Sequence, residues 1–240
     1  MQPVVARCLA WCREPRASHI VVTANASHLC MMRRDASLRD ACVAADMAVA
    51  DGMSVVWALK TLGRPVPERV AGIDLMTALL AAGSSNRLRV YFLGAKPAVL
   101  QTMVSKCRER FPGLMIAGSR DGYFTGDDHE AIVEEIRRAE PHLLFVGMPS
   151  PFKDVFCQRH RERLQVPVII GVGGSFDVLA GAIKRAPETA QALGLEWAWR
   201  LIMEPRKLWK RYLTTNTEFI FLVLRELLRG GTGPVRSRQS

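Results

Sequence analysis

The stretch Met47-Ala-Val-Ala-Asp51-Gly52 decides how the rest of the chain can be arranged. A short apolar run ends abruptly at Asp51, as a buried parallel strand does when it reaches the carboxyl edge of its sheet. Ligands of open α/β sheets bind outside that edge, and a carboxylate there can accept a proton from a neighbouring hydroxyl group. The alternative is a simple turn, because Asp-Gly is a common turn pair.

Five more apolar runs alternate with helical patterns along the chain. They cover residues 19–23, 88–94, 114–118, 142–147 and 166–171. Strands that alternate with helices in this way are typical of a parallel sheet with right-handed crossovers. The fold class is therefore predicted to be α/β with a parallel sheet.

Composition limits the possible functions. The chain has 240 residues, of which 49% are hydrophobic, enough for one large α/β domain with or without an appendage. Six cysteines without a C-x-x-C pair and five scattered histidines indicate a reduced, cytosolic chain. We therefore expect no disulfide framework, metal site or cofactor. No signal peptide is visible, because charged residues interrupt the first apolar stretch.

The C-terminal segment is basic and amphipathic. The net charge of the chain is +10, and residues 196–240 contribute half of it, with nine Lys/Arg and four Asp/Glu. Residues 196–212 mix tryptophans with basic residues, and the apolar run 219–224 is far shorter than the roughly 20 residues that span a bilayer. Such a helix can lie in a membrane interface; alternatively, it packs on the domain or on a second subunit. We predict a core domain (1–195), a helical appendage (196–230) and a disordered tail (231–240).

Polar residues follow the first two predicted strands. Thr23 and Asn25 project to the same side if the strand continues, and both can offer hydrogen bonds to a ligand. Alternatively, Asn25 or Ser27 caps the next helix. Arg69 lies in a proline-containing loop just before a helix, where it can hold an anion. Its alternative is an ordinary solvated surface charge.

Glycines follow the last predicted strand. Gly171, Gly173 and Gly174 would let the backbone approach a phosphate closely, and the next helix adds N–H donors. The motif lacks the full G-x-G-x-x-G spacing and falls at the last strand, which counts against a nicotinamide dinucleotide. Asp177 is a candidate for binding a ribose or a base; alternatively, it is a helix-start carboxylate stabilised by the helix dipole.

Two charged residues and an aromatic residue complete the candidate site. Pro149 and Pro151 hold a loop at another strand end. After them, Lys153 is placed to reach a diphosphate and Asp154 to bind a sugar hydroxyl; alternatively, both are the charged first turn of a helix. Tyr123, in a loop after the fourth strand, is a further candidate for substrate contact.

These motifs, taken in order, resemble those of the WecG/TagA/CpsF glycosyltransferases, family 26 of the glycosyltransferases. Each motif alone is weak, but the ordered set is specific, and the resemblance covers roughly residues 19–212. The motifs are Thr23-Ala-Asn25, Asp51-Gly52, Arg69–Asp74, Gly147–Asp154, Gly171–Asp177, Arg185-Ala-Pro187, Glu196-Trp197, Arg200-Leu201 and Glu204-Pro-Arg206.

The resemblance implies a Rossmann-like core with a C-terminal helical appendage. It also implies an inverting transfer of a sugar from a UDP-sugar to a polyprenyl-diphosphate-linked acceptor, in cell-surface or exopolysaccharide biosynthesis. The enzyme would be cytoplasmic and bound peripherally to the inner face of the membrane. Packing of the C-terminal helix on a second subunit, the alternative given above, would make it a homo-oligomer. Asp51 matches the catalytic base. Other matching positions are the pocket residues Thr23, Asn25 and Arg69 and the appendage candidates Arg200, Arg206 and Arg211.

The chain departs from the family pattern in one loop. The family commonly has Gln-Glu where this chain has Lys153-Asp154, which predicts a different donor or acceptor preference. The segment Gly147-Met-Pro-Ser-Pro151 is most similar to exopolysaccharide members, including xanthan-type glucosyltransferases. No clear Asp-x-Asp pair is present, so arginines and a helix start would replace a divalent metal.

Two other functions have weaker support. A nicotinamide-dependent oxidoreductase would need a glycine-rich turn after the first strand, and Thr23-Ala-Asn25 does not supply one. A nucleic-acid-binding module is favoured only by the net charge and predicts steeply salt-dependent DNA binding. We therefore expect no nucleic-acid partner.

Overall fold

A single parallel sheet of six strands forms the centre of the protein. The structure, a computed structural model, describes residues 1–14, 17–192, 194–203 and 205–229. The strand order is β2-β1-β6-β5-β3-β4, and every pair is parallel. The strands are β1 (His19–Ala24), β2 (Met47–Ala50), β3 (Arg89–Gly94), β4 (Met115–Arg120), β5 (Leu143–Gly147) and β6 (Val168–Gly171).

Helices connect the strands and cover both faces of the sheet. In chain order they are α1 (Gln2–Trp11), α2 (Ala26–Arg34), α3 (Ala36–Val43), α4 (Met53–Thr61), α5 (Gly72–Ser85), α6 (Pro97–Arg110), α7 (His129–Arg138), α8 (Phe152–Leu164), α9 (Ser175–Ala180), α10 (Glu188–Ala192), α11 (Glu196–Met203) and α12 (Pro205–Leu228). A short 3-10 turn, Gly126–Asp128, precedes α7.

The central strands are unbroken apolar runs because helices bury both of their faces. In β5, residues 143–146 are all 0% exposed. Since side chains alternate along a strand, Phe145 packs on one face and its neighbours on the other. The rings of Phe145 and Phe176 both contact Phe92, with centroids 6.0 and 5.8 Å from it. The core therefore consists of two apolar layers separated by the sheet.

The strand order reverses between β1 and β6. The chain passes from β1 to β2 on one side and returns last through β6 on the other side of β1. Open parallel sheets bind ligands in the crevice that such a reversal leaves at the carboxyl edge. Asp51 and the turn after Gly171 both lie at that edge.

The predicted α/β class and all six predicted strands are confirmed. The boundaries shift by a few residues where backbone chemistry intervenes. Strand β6 begins at Val168 rather than Val166. Pro167 has no N–H to donate to a neighbouring strand, and its carbonyl oxygen accepts a hydrogen bond from the N–H of His19 at 2.9 Å. Helix α5 begins at Gly72, three residues after Arg69, in agreement with the prediction that Arg69 lies just before a helix.

The C-terminal helix α12 packs against α2. Phe219 is 8% exposed and lies in an apolar cluster with Cys30 and Val55, while Glu218 forms ion pairs with Arg33 and Arg34. The prediction that this helix packs on the domain is thus confirmed for one of its sides. In the part of the chain that the structure describes, no helix is both long and apolar enough to cross a bilayer.

The predicted domain division stays a prediction, and the predicted tail 231–240 lies outside the described residues. The side chains of Arg200, Arg206 and Arg211 also lie outside them, although their backbones belong to α11 and α12.

The close packing at the end of β5 predicts how a substitution there changes the stability of the protein. A Cβ atom placed on Gly147 would lie 2.5 Å from the ring of the fully buried Phe176. We expect Gly147→Ala to lower the free energy of unfolding by about 1–3 kcal/mol, because overpacking forces neighbours to shift. Gly126→Ala is the matched control, since a Cβ there has no atom within 4 Å. Urea unfolding measures the free energy of unfolding of both variants. Equal values for the two would contradict the close packing of Gly147 against Phe176.

Candidate active site

Asp51 follows β2 directly, and its carboxylate lies beside Gly72. Its N–H donates to the carbonyl of Ala24 at 2.8 Å, which continues the β1–β2 pairing to the sheet edge. A Cβ atom placed on Gly72 would lie 3.6 Å from Oδ2 of Asp51, 3.5 Å from Cγ2 of Thr23 and 3.7 Å from Oγ of Ser175. Asp51 is half-buried. The carboxylate, a threonine methyl and a serine hydroxyl thus surround one point at the carboxyl edge.

Thr23 joins the two strands at the reversal. It is 7% exposed, and its Oγ1 donates to the carbonyl oxygen of Gly171 at 2.9 Å. Ser175, which sequence reasoning did not single out, is 6% exposed and donates its hydroxyl to the carbonyl of Val172 at 2.8 Å. Its membership in the Gly171–Asp177 motif was the only signal for it. The first strand and the glycine turn are therefore locked together beside Asp51.

Asn25 caps α2. Its Oδ1 accepts a hydrogen bond from the backbone N–H of His28 at 3.0 Å, and the side chain is otherwise exposed. The capping interpretation is confirmed, while contact with a substrate stays a prediction. Because the cap holds the first turn of α2, it also fixes the position of His28, which lies in that turn.

The glycine turn contains one residue in the left-handed region of backbone conformation. Gly173 has φ +53°, a left-handed conformation that favours glycine. Gly174 follows, and α9 then begins at Ser175. Asp177 lies half-buried in the first turn of this short helix, which agrees with the helix-start interpretation. A role in binding a nucleotide stays a prediction for these residues.

Arg69 belongs to a network of four alternating charges. Its guanidinium pairs with Glu196 and lies 3.9 Å from Asp74. Arg185 completes the network, 2.6 Å from Asp74 and 3.8 Å from Glu196. The side chain of Arg69 is only 14% exposed, so the interpretation as a solvated surface charge is wrong. The network connects the loop before α5 to the start of α11.

Lys153 and Asp154 are buried, with exposures of 4% and 6%. Lys153 Nζ donates to Asp154 Oδ1 at 2.6 Å, and Ser150 Oγ donates to Asp154 Oδ2 at 2.6 Å. Burial by itself would raise the pKa of Asp154, but the bond from His28 and the charge and bonds of Lys153 and Ser150 lower it to about 2. Both residues are in the first turn of α8, as one interpretation expected, but they are not solvated there. Substrate contact by either stays a prediction.

Two further side chains reach Asp154 from distant parts of the sequence. His28 Nε2 lies 3.3 Å from Asp154 Oδ2, and Cys42 Sγ lies 3.6 Å from the same nitrogen. The three ligand atoms lie within 4.8 Å of one another. Sequence spacing gave no signal for this cluster, because His28 and Asp154 are 126 residues apart.

Tyr123 lies farther along the same edge of the sheet. Its side chain is 69% exposed, and its N–H donates to Oδ1 of Asp121 at 2.9 Å. The N–H of Gly122 donates to the carbonyl of Ala95 at 3.0 Å, so the loop lies at the ends of β3 and β5 rather than beside β2. An aromatic contact with a ligand at this point stays a prediction.

Comparison with known proteins gives consistent results. The chain is similar to N-acetylglucosaminyldiphosphoundecaprenol N-acetyl-beta-D-mannosaminyltransferases from two bacilli. It is 36% identical to the protein of Bacillus spizizenii over 170 residues, which are 71% of this chain and 65% of that protein. It is 33% identical to the protein of Bacillus subtilis over 207 residues, which are 86% of this chain and 79% of that protein. The chain thus matches just under two thirds of the first relative's length.

A family model matches nearly the whole chain. The model describes the glycosyl transferase WecG/TagA/CpsF family, and residues 1–233 match it. The motifs that surround Asp51, the glycine turn and the appendage all lie within this match. The chain therefore belongs to the WecG/TagA/CpsF family of glycosyltransferases.

Proposed function

We propose that the protein transfers a sugar from a UDP-sugar to a polyprenyl-diphosphate-linked acceptor, with inversion at the anomeric carbon. The observation that carries this proposal is the position of Asp51, whose carboxylate lies beside Gly72, near Thr23 and Ser175, at the carboxyl edge. The names of the two bacillus relatives, which specify an undecaprenyl-diphosphate-linked acceptor, support the acceptor class. Membership in a glycosyltransferase family favours this function over an oxidoreductase or a nucleic-acid-binding module.

The proposed reaction is a single displacement. The acceptor hydroxyl oxygen forms a bond to the anomeric carbon, and its proton passes to the carboxylate of Asp51, which acts as the general base. The bond from the anomeric carbon to the diphosphate oxygen breaks on the opposite face of the sugar. The bonding electrons leave with UDP. No covalent intermediate with the enzyme is needed for inversion.

Positive groups would stabilise the charge that develops on UDP. The N–H groups of Gly173 and Gly174 and the guanidinium of Arg69 are the core candidates, and the appendage adds Arg200, Arg206 and Arg211. Arg69 already pairs with Glu196. A diphosphate at Arg69 would therefore compete with that carboxylate, and donor binding would loosen this contact of α11.

The proposed location is the cytoplasmic face of the membrane, where a lipid-linked acceptor would be found. One side of α12 packs on α2 through Phe219, and its other side exposes large apolar residues. Ile220, Phe221 and Leu224 are 58%, 60% and 52% exposed. Apolar side chains on a helix of a basic segment suit insertion into the interface of an anionic bilayer.

Asp51→Asn tests the proposed base. We expect the rate of UDP release, with a lipid-diphosphate-linked acceptor present, to fall by about 10²–10⁴ because a positioned base is lost. UDP affinity, measured by isothermal titration calorimetry, should stay unchanged. Asp46→Asn is the matched control, because Asp46 precedes the other end of the same strand and bonds the N–H of Ile20 and the guanidinium of Arg161. An Asp51→Asn variant as active as this control would remove Asp51 from the mechanism.

The double variant Phe221→Ser/Leu224→Ser tests membrane contact. We expect its partition onto anionic vesicles to be at least about tenfold weaker, because two apolar side chains no longer enter the bilayer. Val43→Ser/Met115→Ser is the control, since both of these residues are exposed but lie on other elements. Co-sedimentation with vesicles measures the partition, and an equal loss in both double variants would show that α12 has no special role.

A further inference from the structure

We propose that Asp154 is a positioning residue that holds the loops around the active site, and that Lys153 is the internal cation that allows its burial. This inference rests on the proposed function, because its effect is on sugar transfer. Sequence reasoning assigned both residues to direct substrate contact. The structure instead shows them bonded to each other below the surface of the carboxyl edge.

The carboxylate of Asp154 joins two of the segments that form this edge. Ser150, in the loop after β5, donates its hydroxyl to Oδ2 at 2.6 Å. His28, in the first turn of α2 after β1, places Nε2 3.3 Å from the same oxygen. Since His28 is itself held by the Asn25 cap, movement of Asp154 would disturb the segment that follows β1.

Lys153 connects Asp154 to a third segment, the end of β6. A Cβ atom placed on Gly171 would lie 3.0 Å from Nζ and 3.1 Å from Cδ of Lys153, so the lysine side chain lies directly against the glycine backbone. The carbonyl of Gly171 accepts the hydrogen bond of Thr23. The methyl group of Thr23 and the carboxylate of Asp51 both lie beside Gly72. A series of contacts therefore leads from Asp154 to Thr23, whose methyl group lies near the carboxylate of the proposed base.

The charges of the cluster balance without any added ion. A buried carboxylate is costly unless a cation and hydrogen-bond donors accompany it, and Lys153 supplies the cation at 2.6 Å. The distances of 3.3 and 3.6 Å from His28 Nε2 to Asp154 and Cys42 would also suit ligands of a tetrahedral metal. A divalent ion with a Cys42 thiolate would, however, add a net positive charge next to the Lys153 ammonium. The observations therefore favour lysine over a metal ion.

The cluster is also unsuited to nucleophilic catalysis. Asp154 and Cys42 both approach the same nitrogen of His28, whereas a Cys-His-Asp triad uses the two ring nitrogens separately. Burial, and then the charge of Asp154, raise the pKa of the Cys42 thiol to about 11. The thiol therefore stays protonated at neutral pH, and its part in the cluster is packing.

The first experiment compares Asp154→Asn with Asp46→Asn. Both variants remove a carboxylate that pairs with a cation of α8, but Asp46 lies at the amino edge, away from the proposed site. We expect Asp154→Asn to lower kcat on the order of 10- to 100-fold, because misplaced reacting groups are costly. Its UDP dissociation constant should change little, and Asp46→Asn should keep nearly full kcat. Full kcat in folded Asp154→Asn would overturn the proposal, as would an equal loss in both variants.

A double-mutant cycle keeps the proposal testable if Asp154→Asn folds poorly. Lys153→Met and Asp154→Asn each leave one buried partner without its counterpart, whereas the double variant leaves a neutral cluster. We expect the double variant to unfold at a higher temperature than Asp154→Asn and to recover part of kcat, a non-additive result. Additive losses would show that the two residues act independently and would overturn the assignment of Lys153. Ser150→Ala, a milder change, should lower kcat in the same direction without unfolding the protein.

Two measurements on the wild-type protein separate the possible failures. If it neither binds UDP nor releases UDP from any UDP-sugar, the proposed function fails, while the unfolding cycle still tests the buried pair. Metal analysis tests the alternative that His28, Cys42 and Asp154 bind a metal ion. One equivalent of zinc that is retained by the wild type and lost in Cys42→Ser would overturn Lys153 as the counter-ion. The absence of zinc from the wild type would support the proposal.

Discussion

The hydrogen bond from Thr23 to the carbonyl of Gly171 is the contact on which the site depends. It joins the first and last strands of the sheet at the point where the strand order reverses. Parallel strands alone would place the glycine turn and Asp51 at the same edge of the sheet. They would not fix the distance between the two, because the loops that follow the strands can adopt different conformations. The threonine limits that freedom, because its hydroxyl is bonded to the end of β6, where the turn begins, and its methyl group lies beside Gly72, as the carboxylate of Asp51 does.

Local patterns predicted the parts of the structure that depend on nearby residues. Apolar runs bounded by glycine and helical segments located all six strands, since a buried parallel strand needs a continuous apolar sequence. The cap at Asn25 followed from hydrogen-bonding chemistry within a few residues. The position of Asp51 at the carboxyl edge followed from the abrupt end of one strand.

Long-range ion pairs could not be predicted in the same way. Arg69 and Glu196 are 127 residues apart, and no spacing rule links an arginine to one carboxylate among many. Lys153 and Asp154 are adjacent in sequence and resembled an ordinary charged helix start. Their burial depends on Gly171, whose missing side chain leaves room for the lysine. Such contacts are properties of the assembled fold rather than of any segment.

These ion pairs give the site two different kinds of support. The network of Arg69 is partly exposed and joins α5 to α11, so salt and anions in solution can reach it. The pair of Lys153 and Asp154 is buried and lies within the core, where solvent screens it little. The first therefore suits a contact that opens as substrates come and go. The second suits a contact that keeps its geometry throughout the reaction.

Helix α12 has two surfaces that face different surroundings within one turn. Phe219 lies inside a cluster with residues of α2 and α4, whereas Ile220 and Phe221 point outward. Natural variation should therefore fall unevenly along this helix. Positions that contact Cys30 and Val55 must preserve shape, because their substitution would also disturb the segment that follows β1. If α12 contacts a bilayer as proposed, outward positions need only remain apolar, so related enzymes can exchange one large apolar residue for another there while the core stays the same.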